Sequence, residues 1–205
     1  PEQRAIAKVL GSMDKAINAN NQLIAQKELR KKWLMQNLLT GKKRLKGFRG
    51  DWKEYQLGQM FAERNERNND GLALLSIGQN GVYPQKNSIK KDTSNSDKSK
   101  YKKICIGDIG YNTMRMWQGR SALSNLEGIV SPAYTILKPR ENADALFFSY
   151  LFKTPKLVNL FWRNSQGLVG DTLNCKYKDF SIVKTMLPLK DEQIAIAQIL
   201  QAADR

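Results

Sequence analysis

The chain has 205 residues, with 34 Lys and Arg against 19 Asp and Glu, no histidine and a net charge of +15. The lack of histidine excludes Ser-His-Asp and Cys-His catalysis and His-containing zinc sites, while the cation surplus suits a phosphate-bearing partner, because neutralised phosphates release counterions. Apolar residues make up 41%, with no run near the ~18 needed to cross a membrane and no signal-peptide pattern, so a cytoplasmic globular domain with an appendage is expected.

Residues 2–39 contain no proline and a single glycine, Gly11. Ile6, Leu10, Met13, Ile17, Ile24, Leu34 and Leu38 recur on 3–4 spacing, which keeps one helical face. The same register passes through Asn20, Lys27 and Lys31, so the seam turns polar in its middle. Gly41 is a suitable stop. Such a helix spans about 57 Å at 1.5 Å per residue, longer than a small domain is wide, and is expected to lie against another helix as in a coiled coil. A helix broken near Gly11 or Asn20-Asn21 is the alternative.

Residues 41–51 carry the basic side chains of "TGKKRLKGFRGD" and read as a linker that either touches a phosphate backbone or is solvated. Residues 52–188 read as one mixed α/β domain. "ALLSIGQNGVY", "KKICIGDIGYNT" and "EGIVSPAYTILKP" are short apolar runs closed by Gly, Asn or Pro, as strands and turns should be, with Pro132 at a bulge or edge position. "DALFFSYLFKTPKLVNLFW" has helical spacing, with Pro155 opening a second helix, and "FSIVKTMLPL" returns to strand character. Gln85–Lys103 is a polar insertion with seven Lys, read either as a basic loop beside a nucleic-acid surface or as a solvated one. Cys105 and Cys175 read as buried free thiols.

Residues 189–205 restart a helix, and they repeat the beginning of the chain. "EQRAIAKVL" at 2–10 returns as "EQIAIAQIL" at 192–200, and Glu2–Lys15 matches Glu192–Arg205 at seven of fourteen positions with an offset of 190. A repeat that long marks one structural unit and the start of the next. With Pro1 at one end and the repeat at both, a piece of a larger two-repeat protein, or a half-sized subunit, is expected.

No phosphate-cradling Gly-rich loop, dinucleotide fingerprint or paired metal-ligand spacing occurs. "PLKDEQ" superficially resembles an acidic nuclease cluster, but it opens a helix, where Asp191 and Glu192 suit the positive end of the dipole. Catalysis by this chain is not expected. The richest stretch is Gly107–Tyr134, where Asn112, Thr113, Arg115, Gln118 and Arg120 alternate with Tyr111, Met114, Met116 and Trp117. Arg reads guanine and Asn or Gln reads adenine through paired hydrogen bonds. The alternative makes Trp117 and the methionines core and Arg115 a structural ion-pair partner. Arg163 and Asn164 repeat the theme, as do Gln79, Asn80 and Lys86 in a hairpin or loop, with Lys90 and Lys91 in the basic insertion.

"YNTMRMWQGRSALSNLEGIVSPAYTILKP" resembles the target-recognition domain of type I restriction–modification specificity subunits. "LPLKDEQIAIAQIL" resembles the junction from such a domain into the family's long helix, and "GDWKEYQLGQMF" resembles a recognition-domain start. The resemblance implies an α+β chain: a long spacer helix over 1–40 that packs in an antiparallel coiled coil, a recognition domain over 52–188 and the start of a second helix. It also implies double-stranded DNA as ligand and modification (methyltransferase) and restriction subunits as partners, with a second copy of the chain as a further candidate through the long helix. S-adenosylmethionine and ATP with magnesium would be used by those subunits, and none by this chain. The full family pattern has two recognition domains, where this chain has one. An assembly protein that binds modification subunits without reading DNA is the competing class.

Overall fold

Residues 1–69, 71–78, 81–87, 97–167 and 172–204 are described by a computed structural model of the chain. The proline-free, 3–4 spaced N-terminal stretch forms one helix, α1 (Glu2–Leu38), which runs through Gly11 and Asn20-Asn21 without a break. Its end is closed by side chains: the Asn37 amide donates to the Trp33 carbonyl at 2.8 Å and the Thr40 hydroxyl to the Gln36 carbonyl at 2.6 Å. Gly41 then takes φ +71°, the left-handed conformation that glycine adopts at little cost and that turns the chain off the helix axis.

A second helix, α6 (Lys190–Ala202), lies antiparallel against the last turns of α1. Lys31 pairs with Asp204 at one end, and Arg44 bonds Glu192 at the other through Nε and Nη2, at 2.6 and 2.7 Å. Between these clamps Leu38 joins Ile196, Ala197 and Leu200 in one core cluster, with Leu34 and Met35 packed against it. Arg44 is therefore committed to the fold rather than to solvent or phosphate. Further toward its N-terminus α1 leaves the body, and Ile6, Leu10, Met13, Ile17 and Ile24 are each more than half exposed. Among the described residues, the expected antiparallel helix pairing covers only the last turns of α1.

The body is built from antiparallel ladders. Phe61–Glu63 (β2), Tyr134–Pro139 (β9), Ile109–Asn112 (β6) and Ser121–Leu123 (β7) make a four-stranded sheet in that spatial order. Lys53–Gln56 (β1) pairs with Lys184–Leu187 (β10), Leu75–Gly78 (β3) with Gly81–Pro84 (β4), and Lys102–Ile104 (β5) with Gly128–Val130 (β8). Two helices, α3 (Ala145–Leu151) and α4 (Pro155–Asn164), and two short ones, α2 (Leu57–Met60) and α5 (Tyr177–Ser181), complete the body.

Aromatic rings from these elements fill the main core. Phe61 meets Phe148 edge-on at 4.9 Å, Phe152 meets Phe180 at 5.5 Å, and Phe161 stacks on Phe180 at 5.9 Å. Each such fully buried side chain contributes about 1.5–3 kcal/mol by removal from water. A smaller cluster of Leu75, Val82, Ile104, Ala122, Val130 and Ile136 seats the β3–β4 hairpin on the sheet. A Cβ at Gly110 would push aside the tip of the Ile77 side chain, so hairpin and sheet approach closely at this glycine.

Three local expectations are corrected. Pro132 lies in the turn between β8 and β9, not in a strand. Phe180 and Ser181 close the helix α5, so strand character in "FSIVKTMLPL" is confined to β10. Cys175 is buried but Cys105 only partly so, although both are free thiols.

Candidate nucleic-acid interface

The loop after β6 is held by its own side chains. Asn112 Oδ1 accepts from the Met114 N–H at 2.9 Å, and the Trp117 indole donates to the Met114 carbonyl at 3.0 Å. The Thr113 hydroxyl and N–H both donate to the Ala133 carbonyl at 3.1 Å. Met116 is fully buried, and Gly119 at φ +71° ends the short 3-10 turn Met116–Gln118. These bonds fix the backbone, leaving Gln118 and Arg120 exposed and Met114 43% exposed; Arg115 is half-buried. Asn112, Thr113 and Met116 thus hold the loop in shape, and it presents its long polar side chains from a rigid frame.

The loop rests on α4. A Cβ at Gly119 would sit 3.0 Å from Val158, so loop and helix are in close contact. Arg163 is exposed in the last turn of α4, whereas the Asn164 amide donates back to the Leu160 carbonyl at 2.8 Å. Beyond the helix, Gln166 and Asn174 exchange backbone hydrogen bonds of 2.9 and 2.7 Å, and the Cys175 N–H donates to the Thr113 carbonyl at 2.9 Å. The two sequence clusters, 112–120 and 163–166, therefore meet on one face. Asp179, buried under this junction, accepts from the Lys176 N–H at 3.1 Å and the Gln166 side chain at 3.4 Å.

Lys86 is exposed in the 3-10 turn Gln85–Asn87 beyond β4. The Tyr134 hydroxyl, on the residue paired with Asn112, donates to the Ile77 carbonyl at 3.5 Å, which sets β3 beside the start of the loop. Gln79, Asn80, Lys90 and Lys91 lie outside the described residues.

Beside the start of the loop there is a cleft of ≈ 570 Å³ with Glu63, Lys102, Thr113, Met114, Asn174, Lys176, Tyr177 and Lys178 among its walls. Lys102 is spent on the fold: its ammonium donates to the Tyr134 carbonyl at 2.9 Å and to Glu63 at 3.3 Å. Lys176 and Lys178 are exposed. Sequence reading passed over Asn174, Lys176 and Lys178. Their signal was the alternation in "NCKYK", cations on either side of a half-buried tyrosine and next to a buried cysteine.

Away from this face, the Arg64–Asp108 pair serves the fold. Asp108 is buried and accepts from Arg64 at 2.7 and 3.2 Å, which raises the guanidinium pKa above its ordinary value. The Cys175 thiol is pushed up to about 12, chiefly by burial. Among the described residues no group of His, Cys, Asp and Glu is arranged to hold a metal ion, and no helix is long and apolar enough to cross a membrane.

A rigid α+β body with a cation- and amide-bearing face, carried on a projecting helix, is the class of architecture defined so far. Solved structures share its fold. The S subunit of a type I restriction–modification system from M. genitalium superposes with a TM-score of 0.61 at 13% identity, over 99% of this chain and 54% of that one. The HsdS subunit from Thermoanaerobacter tengcongensis gives 0.55 at 17% identity, over 98% of this chain and 50% of that one. A chain from a structural study of complex assembly and conformational transition in the type I R-M system gives 0.55 at 19% identity, over 99% and 51%. The chain has the fold of type I specificity subunits and spans about half the length of the solved structures it matches. No protein-family model and no curated protein matches it.

Proposed function

We propose that this chain is a DNA-recognition module of a type I restriction–modification specificity subunit. It reads double-stranded DNA in the cytoplasm and directs methylation and cleavage performed by modification and restriction subunits. Those subunits would use S-adenosylmethionine and ATP with magnesium; this chain contributes recognition and no catalysis. The observation that carries the reading is the convergence of the 112–120 loop, the end of α4 and the 174–178 segment on one face of a body with this fold. The net charge of +15 supplies the attraction to phosphate.

One observation favours a second reading. The apolar seam of α1 is exposed over most of its length, as a helix awaiting a protein partner would be. In that reading the chain assembles modification subunits without reading DNA, and a second copy of itself is a further candidate partner for the seam. A gel shift of the purified chain with duplex DNA, with and without modification subunits, separates the two. DNA recognition requires a salt-sensitive shift; no shift, or a salt-insensitive one, in both arms leaves the assembly reading.

A further inference from the structure

The cleft between Met114, Asn174 and Lys178 is a concave feature of the candidate face that the loop chemistry does not use. Side chains that read base edges must protrude into a groove, as exposed Gln118, Arg120 and Met114 are placed to do. A cleft does the opposite: it receives something convex. Its charge is also sorted. Glu63 is matched by Lys102, while Lys176 and Lys178 have no acidic partner among the described residues. Their backbone is fixed, because the Lys176 N–H is bound by buried Asp179, and Asn174 and Cys175 are bonded to Gln166 and Thr113.

We propose that the cleft receives the sugar–phosphate backbone of one DNA strand, with a phosphate held between the Lys176 and Lys178 ammonium groups. This rests on the DNA-recognition reading above and adds the register device to it. A backbone phosphate seated next to Thr113 and Met114 fixes where the adjoining loop meets the groove. The chemistry recognised is a phosphate, and a free nucleotide would offer the same group.

The test is fluorescence anisotropy of the full chain with a labelled duplex of random sequence, over a series of salt concentrations. For Lys176→Gln/Lys178→Gln the slope of log K against log salt should become shallower by about 0.9, the contribution of the one phosphate that the pair holds. Because both side chains are exposed, the melting temperature should be unchanged, so a lost slope is not a lost fold. An unchanged slope in a chain whose wild type binds overturns the cleft assignment and leaves the recognition reading standing. A wild type that binds no duplex at any salt overturns both. Deoxyadenosine monophosphate should fail to displace the duplex; if it displaces it from the wild type and not from the double variant, the cleft is a free-nucleotide site and the assignment to DNA backbone falls.

Discussion

Glu2–Lys15 and Glu192–Asp204 are nearly the same peptide in two environments. Ile196 is 1% exposed and Leu200 fully buried, whereas their counterparts Ile6 and Leu10 are 54% and 56% exposed. Glu192 is buried and bonded to Arg44, and the Gln193 side chain bonds Pro188, Asn142 and Asp144 of the body. Glu2 and Gln3 are exposed. Both copies are helical, because spacing and propensity act locally. What differs is the surface they meet. The repeated residues specify a docking face as well as a helix, and in this chain only the second copy has its surface.

Removing the clamp gives the largest expected contrast. Arg44→Ala strands the buried Glu192 carboxylate and should cost about 3–5 kcal/mol, while Glu2→Ala at the equivalent of Glu192 should stay within about 0.5 kcal/mol. Urea unfolding of the two variants measures both, and equal effects would erase the contrast. Truncation of the apolar positions follows the same logic. Leu200→Ala opens a cavity and should cost about 2–5 kcal/mol, whereas Leu10→Ala removes an exposed side chain and should cost no more than about 1 kcal/mol. If Leu10→Ala proves as costly in the isolated chain, its seam is already covered in solution.

A smaller effect concerns pH. Burial raises the Cys175 thiol from 9.0 to about 12. Above pH 9 the unfolded chain loses this proton while the folded one keeps it, so stability is full below about pH 9 and is lost as pH rises toward 12. Cys175→Ala should make that decline shallower, as read from the slope of unfolding free energy against pH rather than its absolute value. Leu10→Ala, which removes no titratable group, should leave the slope alone.

The legible features were those with a local signature. The 3–4 spacing and Gly41 marked α1 and its end, Pro155 opened α4, and the Gly- and Asn-closed runs located β3, β4, β6 and β9. The three-residue strands β2 and β7 and the five-residue α5 are too short for any period to register. Pairings across the chain carry no local pattern at all. Nothing near Arg44 announces Glu192, 148 residues away, and nothing near Arg64 announces Asp108. The same division runs through the candidate face. Amide- and cation-rich loops carry a local pattern, whereas the backbone bonds made by the side chains of Asn112, Thr113 and Asn164 do not, and Lys176 and Lys178 come beside the loop through pairings across the chain, Cys175 to Thr113 and Asn174 to Gln166.

Hydrogen exchange of the full chain, with and without a saturating random-sequence duplex, tests DNA recognition by this face most directly. Recognition there requires slowed exchange in 112–120, 163–166 and 174–178, with Glu2–Lys15 unchanged. Protection confined to α1, or none anywhere, would contradict it.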